Sequence, residues 1–160
     1  MPKIDLKAIP QTNRTGYPAP FDAVVQGRWY RRLAPPTGLT QMGASHVVLK
    51  PGAWSSQRHW HCGEDELLVM IAGEAVLVED ANETNGGRTL IAPGDVCAWP
   101  ANAENGHHLI NESDSDCVFV AISAGPDGGG SYPDIDMCWT ADGTYRHKDG
   151  TAYPEVPRSV

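Results

Sequence analysis

The chain lacks long hydrophobic runs and lacks helical periodicity. No apolar segment of its 160 residues approaches the roughly 20 residues that a helix needs to cross a bilayer. Residues 1–7 carry two lysines and no apolar stretch of the kind that opens a secretory signal, so the expected location is the cytoplasm. No window of roughly 12 residues or more keeps the spacing of an amphipathic helix. These absences argue against a membrane protein and against a helical fold.

Paired cysteine motifs and an excess of basic residues are also missing. The four cysteines (Cys62, Cys97, Cys117 and Cys138) form no C-x-x-C pair, and a cytoplasmic chain is expected to keep them as free thiols. The formal net charge is −8. A field of this sign disfavours nucleic acid and anionic membrane surfaces as partners.

Short apolar runs separated by turn residues are abundant. The chain contains 17 glycines and 13 prolines, and many of them lie between runs rich in Val, Ile and Leu. The predicted strands cover 27–33, 46–49, 66–71, 74–79, 88–92, 96–99, 107–110 and 117–123. Short strands at such close spacing are typical of an antiparallel sandwich or barrel, so the predicted fold class is all-β.

The length predicts one domain, residues 1–160, in three parts. Residues 1–27 are rich in proline and are expected to form an extended N-terminal arm that lies over the domain or over a partner subunit. Residues 28–124 hold the barrel strands. Residues 125–160 begin with a glycine-rich connector, followed by one further strand at 132–137 and a C-terminal tail whose aromatic residues pack back onto the barrel or onto a second subunit.

The first predicted strand is basic, with Arg28, Arg31 and Arg32 beside Trp29 and Tyr30. Basic and aromatic residues in one segment could indicate contact with nucleic acid. The acidic chain and the lack of further basic stretches favour a solvated strand face instead.

The most specific pattern in the chain is a set of metal-binding residue types. His59 and His61 stand two residues apart, so both side chains project to one face of a strand. Glu66 follows after a turn, and His107 follows in a later strand. Neutral imidazoles and a carboxylate are the ligands of divalent transition metals. Cys62 could compete as a thiolate, but strand alternation turns it away from the two histidines.

The surroundings of these residues resemble the two signature motifs of the cupin superfamily. The first motif is matched by Gly52, His59, His61, Glu66 and Gly73 at their spacing in this sequence. The second is matched by Gly94, Pro100, His107 and Asn111, although two extra residues precede the histidine. The chain is also similar to small single-barrel cupin proteins, some of which are labelled sugar-phosphate isomerases.

The resemblance implies a double-stranded β-helix, which is a small jelly-roll barrel, and it implies a homodimer. It also implies a divalent transition metal (Fe, Mn, Zn or Ni) held by His59, His61, Glu66 and His107. Because the loop before the second motif is longer here, either His107 or His108 could be the last ligand. The spacing to Asn111 favours His107.

Two functions follow from this resemblance. The first is a metalloenzyme acting on a small oxygenated molecule, of isomerase, lyase, hydrolase or dioxygenase type, with a sugar or sugar phosphate among the candidate substrates. Glu64 or a metal-bound hydroxide would then serve as the base. The second is a cupin that binds or senses a small molecule without chemistry. A second polar cluster in the cavity would favour the enzyme, and an apolar lining would favour the binding protein.

A phosphorylated substrate would require arginine or lysine in the cavity. Between residues 46 and 111 the only cationic residues are Lys50, Arg58 and Arg88, and strand alternation turns Arg58 away from His59. The sequence therefore weakens the sugar phosphate hypothesis, unless the N-terminal segment supplies an arginine.

Overall fold

A computed structural model describes residues 3–154 of the chain, and within them the structure is almost entirely β. A four-residue helix, α1 (Ala34–Thr37), and two 3-10 turns (Leu6–Ala8 and Ala23–Val25) are the only helical segments in that range. The strands are β1 (Arg28–Arg32), β2 (Met42–Leu49), β3 (Trp60–His61), β4 (Asp65–Ala72), β5 (Ala75–Val78), β6 (Arg88–Ile91), β7 (Val96–Trp99), β8 (His108–Ile110), β9 (Cys117–Ala124), β10 (Gly130–Tyr132), β11 (Met137–Trp139) and β12 (Tyr145–Arg146).

The strands form three antiparallel sheets. The largest has the order β1-β2-β9-β4-β7, a second has the order β6-β5-β8, and the third has the order β12-β11-β10-β3. Neighbours such as β4 and β9 are far apart in sequence, which is the crossing pattern of a jelly roll. The fold is a double-stranded β-helix barrel, and the all-β prediction is confirmed.

The barrel closes around one apolar core. Val47, Leu68 and Phe119 come from the five-stranded sheet, and Leu77 and Leu109 come from the facing three-stranded sheet. Every second residue of each strand points inward, so the alternation of apolar and polar residues in the sequence decides which face is buried.

The predicted strands from 27 to 123 agree with β1, β2 and β4–β9 to within a few residues. The single strand predicted at 132–137 is wrong. Tyr132 ends β10, a turn covers the next four residues, and Met137 begins β11. Pro133 interrupts the strand because it has no N–H to donate to a neighbour.

The arm and the tail share a second apolar cluster. Tyr17 and Val25 of the arm pack with Tyr132 and Met137 of the tail, all of them buried. The arm is also tied to the barrel by a two-way backbone bridge between Thr12 and Tyr30. Residues 155–160, the last of the predicted tail, lie outside the described residues.

The helical segments of residues 3–154 are all too short to span a membrane.

Candidate metal centre

Four of the predicted site residues lie together inside the barrel. One donor atom from each of His59, His61, Glu66 and His107 falls in a group whose members are all within 4.8 Å of one another. A group of this composition could hold a metal ion. The structure thus brings together residues that are up to 48 positions apart in the chain, counting from His59 to His107.

Two strands and one bridge place these side chains. His61 ends β3, and Glu66 lies near the start of β4. His59 and His107 exchange two backbone hydrogen bonds, of 3.2 Å and 2.8 Å between N and O, across an isolated bridge. Because residues that face each other across such a bridge have adjacent side chains, the bridge brings the first and second motifs into contact.

Backbone carbonyls determine which nitrogen of two imidazoles carries the hydrogen. Nδ1 of His59 lies 2.9 Å from the carbonyl oxygen of Gln57, and Nδ1 of His107 lies 3.1 Å from that of Asn105. A carbonyl oxygen only accepts, so Nδ1 donates in both rings. The lone pair of each Nε2 atom therefore points to the centre of the group.

The donor atoms are spaced as ligands of one ion would be. Nε2 of His59 and of His61 are 3.1 Å apart, and Oε2 of Glu66 lies 3.1 Å from Nε2 of His61 and 2.9 Å from Nε2 of His107. Neighbouring ligands at about 2.1 Å from an octahedral metal are about 3 Å apart. Lone pairs of His107 and Glu66 in direct contact repel, and a cation between them removes that repulsion. The residues present fit a divalent metal.

Burial and neighbouring charges shift the pKa values of three residues of the group in different directions. The pKa of His59 is lowered to about 3, because burial disfavours the charged ring and the neighbouring His107 adds repulsion. Burial alone would raise the pKa of Glu66, but the adjacent imidazoles of His107 and His61 outweigh it and lower that pKa. For His61, burial would lower the pKa, but Glu66 and Glu64 raise it. Glu66 is thus ionised, and the centre attracts positive charge.

A rigid aromatic wall holds His107. The indole of Trp99 stacks on its ring with centroids 3.9 Å apart and an angle of 6° between the planes. The indole N–H donates to Oε1 of Glu79 at 2.9 Å, and the side-chain amide of Asn105 donates to the same oxygen at 2.9 Å. Such contacts around a ligand fix its ring and increase metal affinity.

Glu64 lies behind His61. Its Oε2 is 3.5 Å from Nδ1 of His61, which forms no closer hydrogen bond within the described residues, and its Oε1 accepts from the hydroxyl of Ser123 at 3.3 Å. Glu64 is not among the described residues that line the cavity. The catalytic role predicted for Glu64 stays a prediction, and its contacts support a role in orienting His61.

His108 and Cys62 lie outside the group. Nδ1 of His108 donates to the carbonyl of Ser56 at 2.9 Å, and its ring packs edge-on against Trp54. The structure thus brings His107, the residue favoured by the spacing, to the donor group and leaves His108 aside.

The group opens into a cavity of about 330 Å³. Its lining includes Leu68, Trp99 and Phe119, together with Arg28 and Arg32 of β1. The interpretation of this strand as a solvated face is wrong, because Arg28 and Arg31 are half-buried and Arg28 points into the barrel. Period-two alternation groups Arg28 with Arg32, but sequence could not tell which face of the strand turns inward.

Comparisons with known proteins agree with this geometry. The model of the cupin domain family matches residues 45–123. A crystal structure of a sugar phosphate isomerase of the cupin superfamily from Silicibacter pomeroyi is 36% identical, with a TM-score of 0.87, over 96% of this chain and 97% of that one. The chain belongs to the cupin superfamily. A search of curated proteins gives no match.

Other similar structures are more distant. A candidate sugar phosphate isomerase from Acidithiobacillus ferrooxidans is 24% identical, with a TM-score of 0.62, over 82% of this chain and 81% of that one. A polyketide cyclase from Streptomyces resistomycificus is 14% identical, with a TM-score of 0.66, over 84% and 87% of the two chains. At these identities the likeness shows the cupin fold alone, and the fold hosts different chemistries.

Proposed function

We propose that this cupin is a metal-dependent enzyme that isomerises a small polyhydroxy carbonyl compound, a sugar or a sugar phosphate. The observation that carries the proposal is the convergence of three imidazole nitrogens and one carboxylate on a cavity of about 330 Å³. Cavities of this size hold small metabolites. The 36% identity to a protein described as a sugar phosphate isomerase supports the same reaction class.

His59, His61, Glu66 and His107 would hold the metal. A divalent ion at this point, with Fe, Mn, Zn and Ni as candidates, would polarise a carbonyl or hydroxyl group of the substrate and make its neighbouring protons more acidic. The carbonyls of Gln57 and Asn105 hold the Nδ1 hydrogens and so keep two of the donor nitrogens aimed at the cavity. Phe119 and Leu68 contribute apolar surface to the lining of the cavity.

The lining of the cavity supports an enzyme over a binding or sensing protein. The polar residues besides the proposed ligands include Arg28, Arg32, Ser45, Ser55 and Ser123. These polar residues give the protein groups that can orient a reacting substrate. The non-catalytic alternative predicts an apolar lining, and the described residues provide a mixed one.

The domain organisation, the assembly and the location of the protein are not part of the support for this proposal. The single domain of residues 1–160, the homodimer and the cytoplasmic location stay predictions from the sequence.

Elemental analysis tests the metal. Protein purified without added metal, and then offered Fe, Mn, Ni and Zn in turn, is expected to retain about one ion per chain. The double variant His59→Ala/His61→Ala should retain none. Equal metal content in the two proteins would contradict the site. A variant with Cys138→Ala, outside the donor group, serves as the control for changes in folding.

Isomerase activity tests the reaction. Metal-loaded protein is incubated with aldose and ketose phosphates and with the free sugars, and the interconversion is followed by proton NMR in deuterated water. Exchange of the hydrogen next to the carbonyl, lost after metal removal and in Glu66→Gln, is the expected result. Substrate binding with no exchange in any of these compounds would instead favour the non-catalytic function.

A further inference from the structure

Two arginines of β1 line the cavity of the candidate metal centre without an acidic partner among the described residues. Outside the cavity, Lys50 pairs with Asp116, Arg58 pairs with Asp80 and Asp134, and Arg88 pairs with Glu112, whereas Arg31 and Arg146 donate to backbone carbonyls. Within residues 3–154, Arg28 and Arg32 form no ion pair with a carboxylate. In an acidic protein with many available carboxylates, this lack of partners places uncompensated positive charge in the cavity.

Arg28 is held in a fixed position with hydrogen-bonding capacity left over. Its Nη1 donates to the carbonyl of Ser55 at 3.2 Å, and its guanidinium lies 4.9 Å from the ring centroid of Tyr30. Its Nε is buried and has no hydrogen-bond partner within the described part of the chain. A buried donor without an acceptor is costly, and an anionic oxygen is the acceptor that a guanidinium binds most strongly.

Arg32 adds a second charge on the same face of β1. Residues 28, 30 and 32 alternate with outward-facing positions, and all three line the cavity. Arg32 is exposed, so it lies at the mouth, whereas Arg28 is half-buried. Glu66 is the only carboxylate among the described residues of the lining, and it belongs to the proposed metal ligands.

We infer that Arg28, with Arg32 at the mouth of the cavity, binds the phosphoryl group of the substrate. The inference rests on the proposed function and selects sugar phosphates over free sugars. Two guanidinium groups match the charge of a phosphate dianion, and the planar donors of Arg28 suit its oxygens. The metal would act on the carbonyl end of the same molecule, so the two subsites would fix its orientation.

Calorimetric titration with inorganic phosphate tests this subsite, in metal-loaded protein and again after chelation. Arg28→Gln should weaken phosphate binding about tenfold or more in both forms, because a charge-assisted hydrogen bond is lost. Arg28→Lys keeps the charge but loses the planar donors, so its phosphate affinity should lie between those of wild type and Arg28→Gln. Arg88→Gln removes the same charge outside the cavity and should bind within about twofold of wild type.

Several results would overturn the subsite. The subsite is overturned if Arg28→Gln binds phosphate as tightly as wild type does. It is also overturned if Arg88→Gln loses as much phosphate affinity as Arg28→Gln. Acetate binding as tightly as phosphate would assign the subsite to a carboxylate instead. If both Arg28 variants fail to fold, the exposed Arg32→Gln decides: a loss of about threefold supports the subsite, and an unchanged affinity overturns it.

The test separates the subsite from the reaction. Phosphate binding that depends on Arg28, in protein that isomerises no sugar phosphate, would retain the subsite and reject the proposed function. Isomerisation of a free sugar and its phosphate at equal kcat/KM, unaffected by Arg28→Gln, would retain the function and reject the subsite.

Discussion

At the scale of single residues, neighbours of the donor group orient its rings. The backbone carbonyls of Gln57 and Asn105 fix the tautomers of His59 and His107, and the ring of Trp99 fixes the plane of His107. The metal ligands of other proteins are oriented in the same way by their neighbours. The geometry of the donor group therefore depends on residues that a ligand motif does not include.

Glu64 provides a test at this scale. Glu64→Gln removes the carboxylate that faces Nδ1 of His61, so His61 becomes a weaker and less oriented donor. We expect metal affinity to fall about tenfold, measured by competition with a chelator. Glu83→Gln, in an exposed loop, should leave it unchanged.

The same variant distinguishes the two roles of Glu64. If Glu64 only orients His61, excess metal should compensate for the loss of Glu64, and kcat should return to nearly the wild-type value. A low kcat at full metal occupancy, with unchanged metal affinity, would instead establish Glu64 as the base predicted from the sequence.

At the scale of elements, the hydrogen bonds at the ends of strands hold the two motifs together. Asn111 follows β8 and is fully buried. Its amide donates to the carbonyls of Leu49 at 2.8 Å and Ser115 at 2.7 Å, and its oxygen accepts from the backbone of Ser113 at 3.0 Å. The asparagine of the second motif is thus a structural link between β2, β8 and the turn before β9.

Asn111→Ala is expected to lower the free energy of unfolding by about 3 kcal/mol. The substitution removes the donor to the buried carbonyl of Leu49 and opens a small cavity. Urea denaturation followed by tryptophan fluorescence measures the change. Asn13→Ala, which removes one exposed hydrogen bond to Gln26, should cost less than about 1 kcal/mol. A similar cost for the two variants would contradict the structural link.

At the scale of the whole molecule, the arm and the tail close one side of the barrel. Tyr17 of the arm lines the cavity and also packs against Tyr132 and Tyr145 of the tail. An ion pair reinforces this closure, since Arg58, next to His59, binds Asp134 of the turn between β10 and β11 at 2.6 Å. The cavity therefore depends on segments that lie outside the family match of residues 45–123.

The ion pair predicts a pH dependence of stability. Hydrogen bonds from Arg58 hold the pKa of Asp134 below its ordinary value of 3.8. A carboxylate whose pKa is lower in the folded than in the unfolded state stabilises the folded protein at pH values above its unfolded-state pKa. This stabilisation is lost as the pH falls through the folded-state pKa. Because Asp134 is largely exposed, the contribution is about 0.5–1 kcal/mol.

Comparison of wild type with Asp134→Asn measures this contribution. The difference in unfolding free energy should be constant from about pH 5 to 8 and should vanish towards about pH 2. A difference that grows as the pH falls would contradict the sign. Asp114→Asn, whose carboxylate forms no ion pair within the described residues, is the control.

Metal removal should also be visible in global stability. An ion that binds only the folded chain, at a free concentration of 100 times its Kd, raises the free energy of unfolding by about 2.7 kcal/mol. For a chain of this size, that corresponds to an increase of about 6–10 °C in Tm. Chelation should therefore lower the Tm of wild type by this amount. The Tm of His59→Ala should not respond to the chelator, and an equal response of both proteins would contradict a specific site.

Sequence by itself determined the strands and the donor set. The strand runs are local patterns, in which a period of two and bounding Gly and Pro residues are read from near neighbours, so eight strands are predictable from the chain's order of residues alone. The pair His59 and His61, with Glu66 after one turn, is also local, and spacing alone puts both rings on one face.

Only the tertiary structure decided what surrounds the site. Barrel closure turned the face of β1 with Arg28 and Arg32 inward, brought His107 rather than His108 to the group, and placed Glu64 behind His61. Each of these depends on which distant strands pair and in which register, and a shift by one residue would reverse every face. The hydrophobic core selects that register, and a local residue pattern does not specify it.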